Sequence, residues 1–300
     1  MSAAAPAAGA RPLAWQIGAA LFAVYVIWGS TYLVMRVALH ELPPMLMGSI
    51  RFAIAGTVLL AIGRLRGEPW PTRRQWARAA PIGVLLFAGG NGLVAVGELE
   101  VSSGLAAVVV ATMPLWMALL GVLLGERPSG REWLGLGLGM FGVVVLMSGA
   151  ELSAAPVAAV ALGCSPIAWA IGSMLSRRLD VPRGLIGSAS FQLMGSLAML
   201  AVGLVRGERL PGAVSAETVG AMAYLIVLGS VIGFTAYTWL LVRTRPALAT
   251  SYAFVNPPLA VLLGAMLGAE AVGRATLLAT PLVVAAVLLV VTGQQRAKAT

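Results

Sequence analysis

Stretches of about twenty apolar residues recur along almost the whole of this 300-residue chain, with only short polar breaks between them. Crossing a hydrocarbon layer of roughly 30 Å takes about 20 helical residues, because each adds about 1.5 Å. The apolar runs meet that length repeatedly. Composition agrees: 59% of residues are hydrophobic and 10% are charged, against about 25% charged in an average soluble domain. So little charge cannot coat a soluble globule. Backbone groups in lipid must be satisfied within the segment, so the spans are helices. The alternation that a β-barrel requires is absent.

We read ten spans, at 15–39, 44–65, 76–97, 101–124, 131–149, 155–178, 183–206, 217–241, 246–268 and 275–293. The connections are short, so consecutive helices are antiparallel neighbours. Residues 1–14 are rich in Ala, Pro and Gly and are expected to be a disordered cytoplasmic segment. No small-residue cleavage site follows the first span, which is read as a retained helix. Residues 294–300 form a cytoplasmic tail.

Net charge is +9, a balance that in a soluble protein points to nucleic acid. Here the basic residues sit in the breaks between spans. With the N-terminus in the cytoplasm, fifteen fall on the cytoplasmic side, among them Arg11, Arg64, Arg73, Arg127, Arg177, Arg245 and Lys298. Four (Arg36, Arg206, Arg209 and Arg274) fall on the other side, and Arg51 lies within a span. This positive-inside asymmetry places both termini in the cytoplasm. The chain has one cysteine, Cys164, and one histidine, His40. No internal disulfide and no Cys/His metal cluster is available, and no cofactor is expected.

The sequence repeats itself. At a shift of 143, Leu105-Ala106 fall on Leu248-Ala249, Pro114 on Pro257, Gly121 on Gly264, Gly125 on Gly268 and Gly130-Arg131 on Gly273-Arg274. At a shift of 141, Trp28 meets Trp169 and Arg36 meets Arg177. The expected organisation is a first five-helix repeat at 15–149, a linker at 150–154 and a second at 155–293. Five is odd, so the second repeat enters the membrane inverted. Two inverted repeats around a central cavity give two conformations of related energy, one open to each side.

Trp28–Arg36 reads WGSTYLVMR, Arg51-Phe52 follows a Pro-Pro helix start, Gly121–Glu126 reads GVLLGE after a central proline, and Ala168–Leu179 reads AWAIGSMLSRRL. Over nearly the whole chain this resembles the drug/metabolite transporter superfamily, specifically its EamA-type permeases. The resemblance implies a bacterial inner-membrane exporter of amino acids, including aromatic ones, or related metabolites. Other relatives of this type export hydrophobic cations.

Candidate working residues follow from cost. Pro114 and Pro257 lie near the middle of their spans and free the carbonyls of Val110 and Ala253; Pro166 frees that of Leu162. They suit a pivot beside a wet cavity and equally a fixed kink. The glycine pairs Gly121/Gly125 and Gly264/Gly268 allow close helix packing or a gate. Asn91, beside Gly90 in a glycine-rich setting, and Asn256 are polar at depth and suit a zwitterion's amino and carboxyl groups, or a helix–helix bond. Trp169, with Trp28 and Tyr237, offers aromatic walls; the resemblance turns Trp169 toward the cavity. Met113 completes the expected substrate contacts. Arg51 is the clear charge at depth, and the resemblance favours a structural role for it.

No Asp or Glu lies in a span interior, and Glu98 and Glu100 fall at an outer end, so a buried carboxylate relay for protons has no obvious residue. An embedded enzyme lacks its general acids and bases, and no GxxxxGK[ST] phosphate loop supplies ATP. The expected partners are lipid and a small neutral or zwitterionic solute, not nucleic acid; a monomer is plausible. A channel-like facilitator of small neutral solutes is the other reading.

Overall fold

The computed structural model describes residues 14–125, 128–244 and 252–297. Arg11, Glu126, Arg127, Arg245, Leu248, Ala249 and Lys298 lie outside the described residues. The described chain is all helical. In chain order the long helices are α1 (Ala14–Leu39), α2 (Pro44–Leu65), α3 (Arg73–Gly97) and α4 (Ser103–Leu123), then α5 (Gly130–Met147), α6 (Pro156–Arg178) and α7 (Gly184–Val205). They continue as α8, made of Ala216–Tyr224, Leu225–Ile232 and Gly233–Arg243, then α9 (Tyr252–Leu267) and α10 (Arg274–Ala297). Eight stretches, through Ala216–Tyr237, are long and apolar enough to cross a membrane, and Val255–Leu267 and Arg274–Val290 are shorter apolar stretches.

Local chemistry sets the ends. Thr72 with Gln75, and Ser129 with Glu132, form capping boxes that start α3 and α5. Ser102 caps α4, and Pro44 opens α2 at a position whose N–H no helix needs. Gly67 (φ +80°) and Gly207 (φ +71°) turn the chain left-handed after α2 and α7. There Glu68 N–H donates to the Gly63 carbonyl and Glu208 N–H to the Gly203 carbonyl. Two departures from a regular helix stand out. α4 is broken at Ala111-Thr112, just before Pro114. α3 and α8 are π-helical over Val84–Gly92 and Leu225–Ile232, two stretches whose starts lie 141 residues apart.

Packing pairs α2 with α7, α5 with α10, α3 with α6, α1 with α8 and α4 with α9. The α2–α7 pair is stapled at both ends. Glu68, just past α2, accepts from the backbone N–H groups of Leu185 and Ile186 at the start of α7 (3.2 and 2.9 Å). Glu208, just past α7, accepts from those of Met45 and Leu46 at the start of α2 (3.1 and 2.9 Å). Each carboxylate fills the orphan donors and the positive dipole end of the other helix. Beside this pair, α3 crosses α7 at Gly83 and Gly195. A side chain at Gly83 would meet the Phe191 carbonyl oxygen, and one at Gly195 would meet Phe87.

Candidate functional site

α1, α2, α3, α4, α6, α8 and α9 enclose a cavity of about 800 Å³, part of it continuous with solvent. α1 contributes Trp28, Thr31, Tyr32 and Met35, and α2 contributes Arg51. Asn91 comes from the π-helical part of α3; Met113 and Pro114 come from the break in α4. Trp169, Phe234, Tyr252, Asn256 and Pro257 close the other half.

Five of the expected substrate contacts thus line one cavity: Trp28, Asn91, Met113, Trp169 and Asn256. Gly90 and Tyr237 are not among its lining residues. The glycines around Asn91 make room for protein rather than for a ligand. A Cβ at Gly90 would stand 2.8 Å from the Trp169 ring, one at Gly89 2.9 Å from Ala168, and one at Gly92 3.2 Å from Met45. Gly90 therefore seats Trp169. Tyr237 supports the wall from behind, its ring 5.2 Å from Trp28 and 5.7 Å from Tyr252. Trp28 is fixed by its Nε1–H, which donates to the Gly229 carbonyl at 3.1 Å. Likewise Ser165 Oγ donates to the Gly90 carbonyl at 3.1 Å. Both acceptors lie in π-helical turns. Pro166 is buried next to Ser165, away from the cavity lining.

The polar groups of the cavity differ in how far the protein satisfies them. Arg51 is 5% exposed. Its Nε donates to Ser230 Oγ at 2.9 Å, and its guanidinium lies 4.8 Å from the centre of the Phe52 ring. Among the described residues no carboxylate forms an ion pair with it. Asn91 Nδ2 donates to the Leu86 carbonyl at 3.3 Å. Asn256, however, is 6% exposed and its Oδ1 accepts from no donor.

One residue past Met35 of the lining, α1 makes an ion pair. Arg36 Nη1 stands 3.3 Å from Glu270 Oε1 and donates to the Val101 carbonyl at 2.8 Å. Glu270 also accepts from Ser103 N–H and Oγ–H, at 3.2 and 2.9 Å, at the start of α4. Gly264 lacks a side chain where Glu270 folds back, and Gly268 gives way to Leu33. Gly125 (φ +88°) has open space around it and ends α4, while Gly121 is buried.

Glu98 is the residue that hydropathy alone hides. It follows α3 by one residue and reads as an outer-end group, yet it is 2% exposed and neither carboxylate oxygen accepts a hydrogen bond. Burial pushes its carboxyl well above the usual range, the Glu270 carboxylate adds to the rise, and Arg36 and Arg51 oppose it. Tyr252 and Ser230 also escaped the sequence reading. Tyr252 stands one helical turn before Asn256, a spacing that could have found it; nothing singles out Ser230.

Two matches to the EamA-like transporter family cover residues 15–148 and 157–292. An inner-membrane transporter of Escherichia coli, YedA, is 42% identical over 276 residues, covering 92% of this chain and 90% of its own. The PecM protein of Dickeya dadantii is 26% identical over 275 residues, covering 90% and 91%. A solved crystal structure, 21% identical, shares the fold with a TM-score of 0.63 over 94% of this chain and 98% of that one.

Proposed function

The chain belongs to the EamA-like transporter family of the drug/metabolite transporters, and on that premise we propose that it is a secondary carrier. Its cargo is small zwitterionic metabolites, amino acids with aromatic ones prominent, exported across the bacterial inner membrane by alternating access. One observation carries the substrate class. The same cavity holds a buried guanidinium that makes no ion pair among the described residues, with only the donor-less Glu98 carboxyl near it in charge, and a buried amide oxygen without a donor. A zwitterion supplies both missing partners, and burying either group alone costs several kcal/mol or about 1–3 kcal/mol respectively. Trp28, Phe234, Tyr252 and Trp169 then face the apolar side chain.

The aromatic lining also favours a hydrophobic cation as a second reading, and Arg51 weighs against it by repulsion. Two inverted five-helix repeats at 15–149 and 155–293 are supported by the separate family matches, the matched π-helical stretches and the reciprocal carboxylate caps of α2 and α7. The basic residues in alternate breaks favour cytoplasmic termini. Pro114 and Pro257, in the cavity wall, serve in this scheme as pivots, and Gly264 and Gly268 sit under the gate.

Counterflow in proteoliposomes tests the reading. Liposomes loaded with unlabelled phenylalanine should take up labelled phenylalanine and tryptophan saturably, and phenylalaninamide, which lacks the carboxylate, far more slowly. Trp169→Ala in folded protein should cut the flux by up to about tenfold, the worth of one aromatic contact. Equal flux of the amide would remove the zwitterion. Faster flux of tetraphenylphosphonium would install the cation reading.

A further inference from the structure

We propose that Glu98 is a proton-binding site that ties the state of the Arg36–Glu270 latch to proton occupancy. The carboxyl keeps its proton while this end is closed and gives it to water when the end opens. The proposal rests on the carrier reading only in that the latch end opens at all; its test uses no substrate.

The ground is a contrast in hydrogen bonding. Glu68, Glu208, Glu270 and Glu151 each accept backbone N–H groups at helix starts. Glu132 closes a capping box. Glu98 is as enclosed as any of them and accepts nothing. An ionised carboxylate without donors in such a place is far costlier than a neutral one. The groups that face it are Tyr32 and Arg36 from α1, Arg51 from α2 and Glu270 beyond α9. Both cations are already engaged: Arg36 holds Glu270 and the Val101 carbonyl, and Arg51 holds Ser230. Nearby, Glu151 is taken up by Ser102 N–H.

Position makes the proton useful. Tyr32 and Arg51, which are coupled electrostatically to Glu98, line the cavity. The next residues in the chain, Leu99 (49% exposed) and Glu100, are exposed. Val101, whose carbonyl Arg36 holds, is three residues on. Parting the latch therefore brings water to Glu98 across one or two residues. Once hydrated, the carboxyl returns toward the ordinary glutamate value of about 4.3. The O–H bond breaks, water takes the proton and the carboxylate keeps the electron pair. The closed form thus binds one more proton than the open form. Between the two values, raising pH favours the open form, by up to about tenfold in the ratio per pH unit.

Pulsed electron–electron resonance on the full chain in nanodiscs would test this. Spin labels go on His40→Cys and Ala271→Cys, both exposed, in a Cys164→Ser background. The first substitution also removes the one histidine from the titration range. As pH rises from about 6 to about 9, a longer-distance population should grow at least about threefold. Glu98→Gln, a fixed mimic of the protonated acid, should hold the short distance throughout, and Glu98→Asp should keep the pH response. Glu98→Met serves as a second neutral variant if the amide fails to fold. A distance that ignores pH in the parent, or a neutral variant that follows the parent's pH response, overturns the proposal.

Discussion

Glu208 and Glu98 are both glutamates one or a few residues past a long helix, and both are nearly enclosed. Glu208 accepts two backbone N–H groups of α2 and has Arg206 at 3.4 Å. Glu98 has no donor. The same difference separates their surroundings. The α2–α7 pair completes the carboxylate bonds at its two ends and brings backbones close at glycine, although Gln192 of α7 is buried with neither amide atom hydrogen-bonded. The cavity region leaves Glu98 and the Asn256 amide oxygen without donors. Completed bonds have one best geometry, so the paired helices form a frame. Incomplete ones are completed by something that arrives and leaves.

The comparison can be broken most severely at the crossing of α3 and α7. Gly83→Leu would drive a side chain into the Phe191 carbonyl, with Met194 Cβ at 2.8 Å and Gly195 N at 2.9 Å. Backbone cannot yield as a flexible side chain does, so the variant should lose about 3 kcal/mol or more. Thermal unfolding in detergent, or loss of monodisperse protein, reads this out. Unchanged stability would mean that the frame is not close-packed there.

Next come the caps. Glu68→Ala and Glu208→Ala should each cost about 1–2 kcal/mol, since each strips charge-assisted bonds from a helix start. The two losses should agree within about 0.5 kcal/mol. Clearly unequal losses would argue against matched halves.

The smallest effect on stability, about zero, belongs to Asn256→Ala. It deletes an acceptor whose oxygen has no bond to lose. Transport should respond in the opposite order. The same variant should weaken exchange of phenylalanine about tenfold, one hydrogen bond's worth to a charged group, while Glu68→Ala leaves it within about twofold. If Asn256→Ala destabilises and transports normally, its amide is a packing group.

The frame was legible in the sequence because lipid dictates it. Length and hydropathy place the helices within a few residues, and Pro114 announces the break in α4, whereas α9 runs unbroken through Pro257. Arg51 was legible as an expensive residue, though not as a cavity wall, because burial depends on which neighbours surround α2. Glu98 was not legible. Hydropathy assigns it to a span end, and only the folding of α1 and the Glu270 turn over that end removes it from water. Gly90 misleads for a related reason: a missing side chain signals close approach, not what approaches, and here it is Trp169. The π-helical turns have no marker in composition at all.

Those turns carry a mechanical consequence. In Val84–Gly92 and Leu225–Ile232 the backbone bonds reach five residues back rather than four. Each helix thus stores slack of about one residue. Taking it up would swing everything beyond by roughly 100°, the angle one residue occupies on an α-helix. Such a rotation needs no unfolding and no new length of chain. Hydrogen exchange at the amides of these two stretches should outpace that of their α-helical flanks if the slack moves. Asn91 sits inside the first stretch, and Trp28 is tied to Gly229 inside the second. A change of winding in either would re-aim a cavity wall as a screw thread turns a jaw.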